Sequence, residues 1–385
     1  MKYVILLICL CIGFTVRAAE IIPDKHEYIK AVVTDVQFKE NRTLIGTTTR
    51  DVFTVTVELS DGSTQILEND HYDVHPGSKV YVHKRIDLDG YTTYTLDEPI
   101  RLPMMSLLVF IFIALSIWIG GKQGVKGLLT LFGSMFLLFL FLIPSIIKGY
   151  SPVLVSLSVA TCIIVLGSYI THGFNRTTST AVLGMICTVL GAGAVTYISM
   201  YAMGLTGLYS EDVVYLLFNT GGTLDVQGLL FAGIMIGLLG ILYDVAIGQS
   251  IAIEELIRAD HHMQSKKLIE RGMRIGREHI GALVDTLALA YVGASLPLLL
   301  LFATSDSPIL YILNREDIST ELVRILVGSM SIIVAVPITT YIAVYILKKY
   351  GIPDHKTEGG CGHIHVDTED CSTHNRHEKK TRVLK

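Results

Sequence analysis

After Pro103 the chain turns apolar, and runs of about twenty apolar residues, the length that carries an α-helix across a bilayer core, recur as far as Leu347. They lie at 104–120, 125–147, 152–171, 178–203, 227–251, 280–302 and 323–347, which predicts a bundle of about seven transmembrane helices over 103–349. Closed hydrogen bonding within each helix is what lets such segments sit in lipid. Composition agrees: 51% of residues are hydrophobic, 17% are charged and mean hydropathy is +0.52, which excludes a soluble enzyme. A formal charge of −4, with the basic residues spread over loops, excludes a nucleic-acid partner. Without a phosphate-binding glycine loop, an HExxH string or a nucleophile–base pairing, no enzymatic activity is expected. The expected partners are the lipid bilayer, an unknown transported or bound ligand and a further copy of the chain.

The loops orient the spans. Lys122, Lys126, Arg176, Arg258, Lys266, Lys267, Arg271, Arg274, Arg277, Lys348 and Lys349 gather on one side, against Lys148 and Arg315 on the other. By the positive-inside rule the first side is cytoplasmic, so the C-terminus is inside and whatever precedes the first span is outside. The setting predicted is the plasma membrane of a bacterium. Residues 1–18, with Lys2, an apolar run and Val16-Arg17-Ala18, read as a signal peptide or an uncleaved anchor, and both deliver the next segment outward.

Over 20–102 the pattern changes to period two. Phe53, Val55, Val57 and Leu59 alternate with Val52, Thr54, Thr56 and Glu58, and turn signals stand at Asp61-Gly62, Pro76-Gly77 and Asp89-Gly90. Five or six short strands suggest a small closed β-barrel of the OB or SH3-like kind, extracytoplasmic by the orientation above. Tyr81, Tyr91, Tyr94, His71, His75 and His83 either line a binding face or simply fill the sheet.

The most constrained span is 229–258, LLFAGIMIGLLGILYDVAIGQSIAIEELIR. On a helix, Gly233, Gly237, Gly240, Asp244, Gly248 and Ala252 recur at steps of three or four and share one face. Small residues permit close helix approach in lipid, so this stripe is expected to face protein, with Gly233, Gly237, Gly240 and Gly248 as packing residues. An ionised Asp in lipid costs about 2.5–3.5 kcal/mol, so Asp244 should point into the bundle, as a neutral packing acid or as a proton relay. A second acid, Asp285, with Thr286 beside it, lies in the sixth span; facing Asp244 it would share a proton, since two close carboxylates do not both ionise cheaply. Pro297 and Pro337 interrupt helical bonding and permit bending. Between the fifth and sixth spans, 257–281 is amphipathic and reads as an interfacial helix or a docking element.

The strings DVAIGQSIAIEEL and RGMRIGREHIGALVDTLALAYVGASLPLLLLF, with the β-then-spans layout, resemble the YibE/F family of multispanning bacterial membrane proteins. That resemblance implies the fold and carries no established activity. A weaker one concerns the order of a Gly-rich helix, Asp244, Glu254-Glu255-Leu256, Gly272, Thr286-Leu287 and Gly293, which is similar to the helix pair of SecD and SecF, of the resistance-nodulation-division type. It implies a place in a proton path for Asp244. The chain lacks the large domain inserted after the first span there, and has Asp285 where that family tends to have Asn.

In the tail, 350–385, Cys361, His363, His365, Cys371, His374 and His377 supply ligands for Zn²⁺ or Ni²⁺, or belong to a disordered cytosolic segment with no cofactor. Three functions are therefore expected: a proton-coupled transporter or translocation-accessory protein built on Asp244, Asp285 and Thr286; a scaffold or sensor with a ligand-binding outer domain; or metal handling through the tail.

Overall fold

The computed structural model describes residues 25–43, 49–87 and 91–352. The signal-peptide reading, the Asp89-Gly90 turn and the Cys/His tail lie outside those residues.

Five strands form one antiparallel sheet: β1 (Lys25–Thr43), β2 (Thr49–Leu59), β3 (Thr64–Asn69), β4 (Lys79–Ile86) and β5 (Thr92–Pro99), in the order β3-β2-β1-β4-β5. The long β1 pairs with β2 through one part of its length and with β4 through the other, and irregularities at Val33/Asp35 and Phe38/Glu40 add local twist. Period two holds from Phe53 to Leu59, with Val55, Val57 and Leu59 buried beside Ala31, Val33, Val80 and Val82 in one apolar cluster and Phe53 packed against it; Val52, on the alternate face, is buried as well. The turns at Asp61-Gly62 and Pro76-Gly77 use positive φ at glycine, 83° and 92°. The expected closed barrel is corrected to an open five-stranded sheet, since β3 and β5 are its two edges and are not paired with each other. A side-chain bridge crosses that gap instead: Tyr72, in the loop after β3, donates its hydroxyl to Glu98 Oε1 of β5 at 2.8 Å. That bond, with Arg101, holds the Glu98 carboxyl below the usual carboxylate range.

The expected aromatic and histidine face is divided. Tyr94 packs against the apolar cluster. His83 instead stacks with Tyr28 and meets His26, Nδ1 to Nε2 at 2.8 Å. His71 and His75 pair with Asp70 and Asp73 in the β3–β4 loop.

The rest is helical: α1 (Leu102–Leu137), a π-turn (Leu138–Leu142) and α2 (Ile143–Ile147), then α3 (Pro152–His172), α4 (Arg176–Met203), α5 (Glu211–Asn219), α6 (Val226–Ala259), α7 (Ser265–Ala294), α8 (Leu296–Ala303), α9 (Ile309–Asn314) and α10 (Glu316–Tyr350). Five helical stretches among the described residues are long and apolar enough to cross a membrane: Leu102–Ile147, α3, α4, α6 and α10. The pair α7 and α8, bent by 68°, makes a sixth if it is one span. The bend falls beside Pro297, whose missing N–H leaves the helix a bond short there. Large apolar side chains such as Phe112, Leu190, Ile198 and Ile333 look outward, whereas Thr180, Thr188, Gln249 and Thr340 are buried. That distribution suits a helical bundle solvated by lipid.

The expected count of about seven is thus five or six; one span of the difference lies at Gly121, and a second at the α7–α8 bend where that pair is not counted. The runs 104–120 and 125–147 share one helical stretch, broken where Gly121 takes φ 53° and ψ −135°. A Cβ on Gly124 would sit 1.9 Å from the Ser116 carbonyl oxygen. Eight residues apart in an unbroken helix the two would be about 12 Å away from each other, so the stretch folds back at Gly121.

Side-chain bonds sort the helix ends. At one end Gln123 Nε2 donates to the Thr171 carbonyl (3.3 Å), Arg176 to those of Tyr350 and Gly351, and Lys348 to that of Met263. At the other, the Thr206 and Gly207 N–H groups donate to Glu316 Oε1 (2.6 and 2.7 Å), and Gln227 to the Leu205 carbonyl (2.7 Å). The basic loops therefore share the first end. The amphipathic stretch 257–281 is corrected in its placement, because most of it belongs to α7, where Leu268, Gly272 and Gly276 are buried against neighbouring helices.

Candidate functional site

The helix α6 is buried along a bulky flank of Phe231, Ile234, Met235, Leu238, Leu242 and Ala246. Continued towards its C-terminal end, that flank turns polar at Gln249, Ser250 and Glu254, and three helices meet it there. Gln249 Nε2 donates to the Gly272 carbonyl of α7 (2.9 Å) and to Thr340 Oγ1 of α10 (2.7 Å). Ser250 shares a 3.0 Å hydroxyl–hydroxyl bond with Thr180 of α4. Glu254, 6% exposed, accepts from Thr177 Oγ1 of α4 (2.5 Å) and from Arg258 Nε and Nη2 (3.0 and 2.6 Å). A buried carboxylate is tolerable only with donors of this kind around it.

Backbone approach makes the cluster possible. A Cβ on Gly272 would lie 2.3 Å from Ile253 Cδ1, and one on Gly276 would lie 2.2 Å from Val336 Cγ1 and 3.0 Å from Gln249 Oε1. Glycine at these positions lets α7 come down on α6 and α10 together. Beside the cluster a cavity of about 170 Å³ is lined by His172, Asn175, Thr177, Ser250, Glu254 and Glu255. It is polar and roomy enough to hold water.

Asp244 lies on a different face, ten residues before Glu254 and about 15 Å away along the helix. It shares that face with Gly233, Gly237, Gly240 and Gly248, as the spacing predicts, but all five are exposed. The expectation that the stripe packs against a neighbour is met at Gly237 alone, where the Tyr291 hydroxyl closes in; Gly233, Gly240 and Gly248 meet nothing within 4 Å. The bulky flank has taken the neighbours, so the smooth one is left open. The expectation that Asp244 points into the bundle is corrected with it, since its side chain lies on the open flank and makes no hydrogen bond or ion pair among the described residues.

Asp285 and Thr286 are not brought to Asp244. Both are exposed, and Thr286 Oγ1 bonds back to the Ala282 carbonyl at 2.8 Å. Asp285 falls nine residues, or about 2.5 turns, after Gly276, which puts it on the side of α7 opposite the packed one. Among the described residues no group of three or more His, Cys, Asp and Glu is placed to hold a metal ion. The structure adds Glu254, Gln249, Thr177, Thr180, Ser250 and Thr340, which sequence reasoning had not singled out as a site. The i, i+4 spacing of Glu254 and Arg258 was the one signal for them.

A family model described as YibE/F-like protein matches residues 108–349. The chain belongs to the YibE/F-like family. The family region begins inside α1 and runs to the last turn of α10, so it takes in the α6–α7 pair, the buried cluster and Asp244, while the sheet precedes it. No curated protein and no solved structure matches the chain. The likeness of the Asp244 helix pair to SecD and SecF rests on the residues quoted above alone.

Proposed function

We propose that this YibE/F-like chain is a proton-coupled membrane transporter or translocation-accessory protein in which Asp244 is the titrating acid. The observation that carries the reading is a carboxylic acid well inside a membrane-length helix, on a face of glycines, with no hydrogen-bond or ion-pair partner among the described residues. An ionised acid there is costly in contact with lipid, so its stable states are a protonated one and one reached by water or a partner. A group with two such states is what a proton-driven cycle needs, and one charge moved across about 100 mV is worth about 2.3 kcal/mol. The polar cavity at Glu254, lower on the same helix, supports arrival of protons from the end with the basic loops.

Counting the reversal at Gly121 as a boundary between two crossings, and the bent α7–α8 pair as one span, gives seven spans with all the basic loops on one side. The positive-inside rule then sets that side in the cytoplasm of a bacterium and the sheet outside. The test is an Asp244→Asn variant that inserts and accumulates normally. The expected result is failure to complement any phenotype of the deletion; full complementation would remove Asp244 from the mechanism.

The stack of exposed His26 and Tyr28 on half-buried His83 favours a second reading, a sensor whose sheet binds an outer ligand. It requires that deleting 20–102 abolish function while Asp244→Asn leaves it intact.

A further inference from the structure

At the end opposite the Glu254 cluster, a cavity of about 580 Å³ opens between the first helical stretch, α6 and α10. Volumes of about 300–1,000 Å³ are typical of small-ligand sites. Leu138, Phe139, Leu229 and Ile236 give it apolar walls, Gly233 leaves part of the α6 wall bare, and Arg324 of α10 supplies a charge. Phe139 is also 64% exposed, so that wall of the cavity is open on its outer side.

Arg324 is incompletely served. Its Nη1 donates to both oxygens of Glu321, at 2.9 and 3.2 Å, and its guanidinium lies over the Tyr291 ring, 5.7 Å from the centroid. Its Nε is buried and has no acceptor among the described residues. Nη2 likewise bonds to none of the described residues. The Nε–Nη2 edge is the one on which a guanidinium takes an oxyanion side-on through two parallel donors, and Glu321 does not use it. A buried donor left without an acceptor costs about 1–3 kcal/mol, so an acceptor arriving there is favoured.

We propose that this cavity binds a bilayer lipid with an anionic headgroup. A phosphate oxygen meets the open edge of Arg324 after a small side-chain rotation, and an acyl chain lies along Leu229, Ile236 and Phe139. The Glu321–Arg324 pair is neutral as it stands, so the selectivity comes from the unused donor edge and not from excess charge. Nothing in this site depends on Asp244.

Native mass spectrometry of the full-length chain in a neutral detergent tests it, with dioleoylphosphatidylglycerol, dioleoylphosphatidylcholine and inorganic phosphate as probes. The expected result is one phosphatidylglycerol per chain, held about tenfold more tightly than phosphatidylcholine and not displaced by millimolar phosphate. Arg324→Gln should weaken it about tenfold. Gly233→Leu, at a position where a Cβ meets nothing within 4 Å, should block it by filling the cavity without disturbing the fold. If Arg324→Gln alone fails to fold, the double variant Glu321→Gln/Arg324→Gln removes both charges and should show the same loss. Equal binding of the two lipids, displacement by phosphate alone, or undiminished phosphatidylglycerol binding in the Arg324 and Gly233 variants would overturn the assignment.

Discussion

Gly276→Leu is expected to lower the stability of the reconstituted chain by about 3 kcal/mol, the upper end of what overpacking costs. Even the first added carbon would stand 2.2 Å from Val336 Cγ1, on a β-branched side chain with little χ1 freedom in a helix, and 3.0 Å from the amide oxygen of Gln249. Relief requires α7 to lift from α10, which also pulls the Gly272 carbonyl away from Gln249 Nε2. Gly272→Ala is the control. Its Cβ would meet the far end of the buried Ile253 and come within 3.3 Å of Thr340 Cγ2, so that smaller group should cost about 1 kcal/mol. Equilibrium unfolding in mixed micelles gives both values, and a Gly276→Leu variant as stable as the parent would show that the bundle does not depend on close approach there.

Glu254→Ala carries the second large effect. Removing the carboxylate strands the Thr177 hydroxyl and takes from Arg258 the acceptor of two of its bonds. Breaking a fully buried pair costs about 3–5 kcal/mol. The Arg258 side chain is 30% exposed and recovers some solvation, so about 2 kcal/mol is expected. Glu254→Gln, which keeps an acceptor oxygen for Thr177, should lose about half of that. The same unfolding measurement checks the pair, and a Glu254→Ala variant as stable as the parent would remove the cluster as the tie between α4 and α6.

Much of this fold is written in the spacing of apolar residues. The runs 152–171, 178–203, 227–251 and 323–347 fall on membrane-length helices, the run 280–302 is broken between α7 and α8 beside Pro297, and period two marks the β2 core. Closure of the sheet was not legible, because alternation reports a buried face and says nothing about whether the two edges meet. The choice of packing face was not legible either. A glycine stripe permits close approach without requiring it, and here the close approaches are made by Gly272 and Gly276 of α7, while α6 spends its bulky flank on its neighbours. Glu254 and Glu255 look alike in the sequence. A rotation of about 100° per residue buries the first and exposes the second, and the pattern alone does not say which way the helix is turned.

Proton coupling requires that the Asp244 carboxyl exchange its proton with water. Infrared difference spectra of the full-length chain in lipid, wild type against Asp244→Asn, over a pH series and after transfer to D₂O, read this directly. A carboxyl band that is absent from the variant, disappears as pH rises and shifts in D₂O is the expected result. No such band, or one that neither titrates nor exchanges, would contradict proton coupling through this residue.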